Sequence, residues 1–67
     1  MMDSAEAREI AEILGGEADR PEEAEGWHVL IDRPDGRVVV LSESAVEEYA
    51  DRDALASGHC YASISLK

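Results

Sequence analysis

The longest aliphatic run in the chain, VVVL at residues 38–41, directly follows a tight-turn signal, and these two features constrain the fold most. In the preceding segment RPDGR, Pro34 presets φ for the first central position of a type I turn. Gly36 supplies the left-handed residue of a G1 bulge. Together with GWHVLID on its other side, the segment predicts a β-hairpin in which Arg33 lies opposite Arg37.

The side chains of this hairpin divide between two faces, because successive residues of a strand point to opposite sides of a sheet. One face is almost wholly apolar and predicts the core side: Trp27, Val29, Ile31, Val39 and Leu41. The other face is polar at its ends and aliphatic in the middle: His28, Leu30, Asp32, Val38 and Val40. We therefore expect Val39→Asp to unfold the chain and Val40→Asp mainly to disturb association.

Two helices and one more strand are predicted outside the hairpin. DSAEAREIAEILGG begins with an N-cap candidate at Asp3 and ends with Gly15 at the C′ position. Its apolar residues at helical spacing are Ala7, Ile10, Ala11 and Leu14. SAVEEYA, capped by Ser42 or Ser44, predicts a second helix with Val46, Tyr49 and Ala50 facing inward, and DRDALASG adds a helical turn in which Leu55 packs and which Gly58 ends.

The last segment, HCYASISL, alternates in polarity and predicts a third strand. Cys60 lies on its more apolar face, so we expect a buried structural thiol. The acidic segment GEADRPEEAE has no period and predicts a loop, with room for a brief extended piece before Pro21.

These elements, in the order α-β-β-α-β, predict one small α+β domain spanning residues 1–67. The helical crossover carries the third strand back beside the first, which gives a three-stranded antiparallel sheet in the spatial order 3-1-2. Both helices are expected to cover the same face, in a two-layer arrangement. The strand that holds residues 38–41 would then be an edge of the sheet.

The charge of the chain excludes several partners. Sixteen acidic and six basic residues give a net charge of -10, and nine of the acids fall within the first 25 residues. Because nucleic acids are polyanions, direct nucleic-acid binding is not expected. The N-terminus lacks a basic region followed by an apolar stretch, and no apolar run is long enough for a membrane span. We therefore expect a cytoplasmic protein without membrane contact.

No group of residues predicts catalysis or a cofactor. His28 and His59 fall near opposite ends of the predicted sheet, and neither has the spacing of a metal ligand. Adjacent His59 and Cys60 would point to opposite faces, so they cannot act as a base and a nucleophile. Neighbouring carboxylates such as Glu47 and Glu48 are predicted on a solvated helix face, where both stay ionised. The sequence therefore predicts a non-enzymatic protein without a metal or cofactor.

Two functions remain open. The first is a protein-interaction or homodimerisation module, which binds a protein partner or a second copy through the rear of the sheet: Leu30, Val38, Val40 and Tyr61. Folding of the segment 16–25 over this surface is the structural alternative. The second function is an acidic decoy that imitates nucleic acid and inhibits a DNA- or RNA-binding partner of phage or mobile-element type. Its surface would be Glu9, Glu12, Glu17, Asp19, Glu22 and Glu23, although solubility or a saline cytoplasm explains the same residues.

Overall fold

The predicted hairpin is confirmed, and it lies inside a larger sheet than the sequence predicts. The computed structural model describes residues 2–22 and 26–66. Five antiparallel strands follow one another in chain order, β1-β2-β3-β4-β5. The elements are α1 (Ser4–Leu14), β1 (Glu17–Asp19), β2 (His28–Asp32), β3 (Val38–Leu41), β4 (Ala45–Tyr49), α2 (Arg52–Ser57) and β5 (Cys60–Ser65).

The turn between β2 and β3 forms as its residues predict. The Arg33 N–H donates to the Arg37 carbonyl (2.9 Å), and the Gly36 N–H donates to the Arg33 carbonyl (3.0 Å). Gly36 has φ of 87°, in the region that favours glycine. The resulting register pairs Val29 with Leu41, and Ile31 with Val39.

Helix α1 is also confirmed, with both predicted caps. The Asp3 carboxylate accepts from the Glu6 N–H (2.8 Å), and Gly15 adopts a left-handed conformation with φ of 72°. The helix buries Ala7 and Ala11 against the fully buried Val29. Trp27, Ile31 and Leu41 pack around this cluster, whereas Leu14, which was expected to pack, remains 47% exposed.

The predicted helix over SAVEEYA is wrong, because residues 45–49 form strand β4. Ser42 caps a turn rather than a helix. Its N–H donates to the Ala45 carbonyl (2.9 Å), and its Oγ accepts from the Ala45 N–H (3.1 Å). Val46 and Tyr49 fit a helical spacing, but over so short a segment a spacing of three residues does not exclude a strand. Valine and tyrosine also favour strands.

The helix predicted over DRDALASG is confirmed as α2, with the Asp51 carboxylate accepting from the Ala54 N–H (2.7 Å) and Gly58 as its C-cap. It lies on the opposite side of the sheet from α1. Ala54 and Leu55 pack against Val38, Val40 and Tyr49, which form a second buried cluster. The prediction that both helices cover one face is therefore wrong, although the α+β class is confirmed.

The predicted sheet of three strands in the order 3-1-2 is wrong as well. Strand β3 is central instead of an edge, since β2 and β4 pair with its two sides. Strand β5 pairs with β4 and lies at one edge of the sheet. The acidic segment contributes the other edge strand, β1, at the place where only a brief extended piece was expected. The pairing of β1 with β2 requires glycine at position 16, because a Cβ there would clash with the Leu30 carbonyl.

Each face of the sheet is named here after the helix that packs on it. The α1 face presents, from strand to strand, Ala18, Val29, Leu41, Val46 and Ile64, which are cross-strand neighbours. The α2 face presents Glu17, Leu30, Val40, Glu47 and Ser63 in the same way. Helix α1 packs over β1 and β2, and α2 packs near β4, so neither helix covers β5.

Replacement of two aliphatic residues by aspartate tests this assignment of faces and corrects the expectation for Val40. Val40 is 6% exposed, so Val40→Asp places an unpaired charge in the core and should unfold a domain of this size. Ile64 is 64% exposed, and Ile64→Asp should change the free energy of unfolding by less than about 1 kcal/mol. Urea denaturation followed by Trp27 fluorescence measures both. Equal stability of the two variants would contradict the structure.

Candidate functional site

The predicted interaction surface does not exist as one exposed patch. Val38 is fully buried and Val40 is 6% exposed, because α2 and Tyr49 pack on them. Leu30 is half-buried beside them. Tyr61 is 63% exposed and lies on β5, away from this cluster. The prediction that Val38 and Val40 belong to an exposed interaction surface is therefore wrong.

The predicted acidic surface is exposed where the structure describes it. Five of its six residues are exposed: Glu9, Glu12, Glu17, Asp19 and Glu22. Glu23 lies outside the described residues. Glu17 is engaged, because its Oε1 accepts from Nη2 of Arg52 (3.1 Å), and the same guanidinium binds Asp32 (2.6 Å). This arginine ties the start of α2 to β1 and β2.

The candidate catalytic residues lie apart from one another in the structure. His28 lies on β2, whereas His59 follows α2 and donates its backbone N–H to the Ala54 carbonyl (2.9 Å). Glu47 and Glu48 are adjacent on β4 and so point to opposite faces, not to one helix surface. Cys60 is exposed, which corrects the expected buried thiol. Within residues 2–22 and 26–66, no cluster of His, Cys, Asp and Glu has the arrangement of a metal site.

Strand β5 is the most open element of the fold. All six of its residues are exposed, and the segment CYASIS contains no charged side chain. Large apolar side chains lie on or next to it: Tyr61 (63% exposed), Ile64 (64%) and Leu66 (53%). Other exposed apolar residues, Ile13 and Leu14, lie at the end of α1. An uncharged, apolar edge strand is a ready template for another strand.

One hydrogen bond shows which backbone groups of β5 point toward the sheet and which point away from it. The Leu66 N–H donates to the Ser44 carbonyl (2.8 Å), so Leu66 directs its backbone groups toward the neighbouring chain segment. Because backbone groups alternate along an antiparallel ladder, Ile64 also directs its N–H and carbonyl toward β4. Ser63, one residue before Ile64, therefore directs its N–H and carbonyl away from the sheet. The edge therefore offers backbone donors and acceptors to a further strand.

A shallow groove of about 170 Å³ runs beside β5 on the α1 face. Its apolar floor consists of Val39, Val46, Ala62 and Ile64. Arg33 and Glu48 line its polar side. The groove lies beside the part of the sheet that α1 leaves open, because α1 packs mainly over β1 and β2.

Arg37 holds one end of β5 in place. Its Nη1 donates to Oε1 of Glu48 (2.8 Å), and its guanidinium lies 4.4 Å from the centroid of the Tyr61 ring. The hydrogen bond to Glu48 raises the pKa of Arg37 above its ordinary value. A cation over an aromatic face is stabilising, so this contact orders Tyr61 at the edge.

A larger cleft of about 340 Å³ opens on the α2 face. Its apolar wall includes Leu30, Val40 and Leu55, and its polar residues include Asp19, His28 and Glu47. The Tyr49 hydroxyl donates to Oε2 of Glu47 (2.7 Å) and fixes that carboxylate. The hydrogen bond to Glu47, followed by burial, raises the pKa of Tyr49 to about 12. Glu47 is also the direct cross-strand neighbour of Ser63 on β5.

Sequence reasoning predicted β5 as a strand at one end of the order 3-1-2, but it placed β5 beside β2 instead of β4 and did not identify its exposed edge as a binding surface. The signal present in the sequence was its composition, because eight successive residues from His59 to Leu66 contain no Asp, Glu, Lys or Arg in a chain that is one-third charged. Comparison of the chain with protein-family models, curated proteins and solved structures found no match in any of the three. Neither helix in the described part of the chain is long and apolar enough to cross a bilayer.

The hydrogen bond between Tyr49 and Glu47 predicts a pH dependence. In a Tyr61→Phe background, Tyr49 is the sole tyrosine and its phenolate absorbance should appear near pH 12. Tyr49 ionises near pH 10 when unfolded, so its contribution to the free energy of unfolding is complete below pH 10 and is lost as the pH rises through 12. Glu47→Gln should lower the pKa toward 10. An unchanged pKa would contradict the assigned cause.

Proposed function

We propose that this chain is a non-enzymatic protein-interaction module that binds an extended segment of another protein at the edge of β5. The observation that carries the proposal is the six-residue edge strand, uncharged and exposed along its whole length. Backbone hydrogen bonds to an added strand supply affinity in this mode of recognition, and side-chain pockets supply specificity. The apolar groove beside Ile64 supports it as a place for side chains of the added strand.

The other edge of the sheet supports the choice of β5. Strand β1 has only three residues, two of them acidic, and Pro21 follows shortly after it. Short strands, charges and prolines are the features that protect a sheet edge from pairing. Strand β5 has none of these from Ala62 to Ser65, and the shift in its ladder lies earlier, beside Tyr49.

The charge of the chain favours a partner different from itself. Each copy carries a net charge of -10, so two copies repel each other over about 10 Å at moderate salt. A partner that is neutral or basic meets no such barrier. A homodimer through β5 is the alternative outcome, and sedimentation at low and high salt distinguishes it. A monomer in both conditions agrees with a different partner.

Amide hydrogen exchange with peptide probes tests the proposal directly. A peptide of alternating valine and lysine should slow exchange of the Ser63 amide, which points away from the sheet, by tenfold or more when saturating. The Ile64 amide already bonds inward and serves as the internal control. Ile64→Asp should abolish the effect without unfolding the chain. If alternating peptides of valine with lysine, serine or glutamate all leave Ser63 unchanged, the proposed function is wrong.

The acidic decoy is a second candidate, favoured by the exposure of five acidic residues on α1, β1 and the following segment. It predicts that the chain competes with duplex DNA for a basic nucleic-acid-binding protein, most strongly at low salt. The variant Glu9→Gln, Glu12→Gln, Glu22→Gln should lose this competition and retain peptide binding at β5. Competition that survives neutralisation would contradict the decoy.

A further inference from the structure

We infer that the segment bound at β5 alternates apolar and basic side chains, with its basic side chains passing over Ser63 to the carboxylate of Glu47. This inference rests on the proposed function and specifies the chemistry of the partner. It follows from the difference between the two faces of the sheet next to the edge.

On the α1 face, the edge is apolar. Ala62, Ile64 and Leu66 alternate along β5 and its continuation, and the groove floor continues inward through Val46. Every second side chain of an added strand would lie beside these residues. Aliphatic side chains bury their surface there, whereas a charge would lose water without gaining a partner.

On the α2 face, the edge is small and polar. Ser63 is the outermost residue, and Glu47 lies directly behind it on β4. An added strand lies about 5 Å from β5 and about 10 Å from β4. A serine leaves the space above it open, so the flexible stem of a lysine or arginine can extend over Ser63 toward Glu47.

The charge at Glu47 is fixed in position and has room for a cation. The Tyr49 hydroxyl occupies Oε2 of the carboxylate at 2.7 Å. The side chain lines the cleft on the α2 face, which also contains Asp19 and is therefore anionic. By contrast, the neighbouring Glu48 points to the α1 face and is paired with Arg37. Of these two carboxylates, Glu47 is the one that accepts a basic side chain of the partner.

Three peptides of equal length measure the effect: alternating valine with lysine, with serine and with glutamate. The valine–lysine peptide should bind most tightly, and the valine–glutamate peptide most weakly. Glu47→Gln should weaken binding of the valine–lysine peptide about fivefold and leave the valine–serine peptide unchanged. Its matched control is Glu12→Gln, which removes the same charge from the exposed side of α1 and should change binding less than twofold.

A block peptide of the same valine and lysine content separates pattern from charge, because it cannot place apolar and basic side chains on opposite faces. It should bind at least fivefold more weakly than the alternating peptide. Equal effects of Glu47→Gln and Glu12→Gln would overturn the inference, as would equal affinity for the lysine and serine peptides. Either result, with Ser63 still protected from exchange, leaves the proposed function intact.

A second variant keeps the inference testable if Glu47→Gln disturbs the hydrogen bond from Tyr49. Ser63→Leu retains the carboxylate and fills the space between it and the edge. It should reduce the preference for the lysine peptide over the serine peptide to less than twofold, while both peptides still bind. An unchanged preference would overturn the proposed route over Ser63.

Discussion

The fold depends on the burial of β3 from both sides. Val38, Val39 and Val40 are consecutive and all buried, although successive side chains of a strand point in opposite directions. Such a strand needs neighbours on both edges and cover on both faces. Strands β2 and β4 supply the first requirement. Helix α2 covers the face of Val38 and Val40, and α1 packs on the opposite face of the sheet.

In this chain of 67 residues, the described part offers only two short helices to cover the two faces of β3. Helix α1 has 11 residues and packs over β1 and β2, whereas α2 has six and packs near β4 on the other side. Small domains bury only about 60% of the surface that their unfolded chains expose. Because the two short helices cover the centre of the sheet, the last strand, β5, remains exposed. The openness of β5 is a consequence of how the core is built.

Sequence patterns predicted the elements that are determined locally. Asp3 and Gly15 bound α1 through caps, and Pro34 and Gly36 shape the hairpin turn, so each signal acts on its own neighbours. Strand β4 was mistaken for a helix because Val46 and Tyr49 lie three residues apart, which places them on one face of a helix but on opposite faces of a strand. That error removed the strand which separates β5 from the hairpin. With β4 missing, β5 could only be placed beside β2, and the run at residues 38–41 became an edge.

The same error explains why the candidate site was only partly predictable. Tyr61 was expected beside Leu30 and Val40 on one rear surface, but its neighbours are set by the pairing of β4 with β5. Pairing between strands is decided by the whole sheet and not by local sequence. The exposure of Ile64 likewise depends on where α1 stops, which no residue of β5 encodes. The absence of charge from His59 to Leu66 was the local signal. It indicates a surface for pairing with another strand only when the strand is known to lie at an edge of the sheet.

The acidity of the chain and its open edge are physically linked. An uncharged edge strand with exposed apolar side chains invites pairing between copies. A net charge of -10 opposes that pairing, because every copy presents the same sign to the next. The charge need not lie on the edge to act, since its field extends about a Debye length from the surface. Repulsion between copies therefore opposes self-association even though the residues of the edge itself are apolar and uncharged.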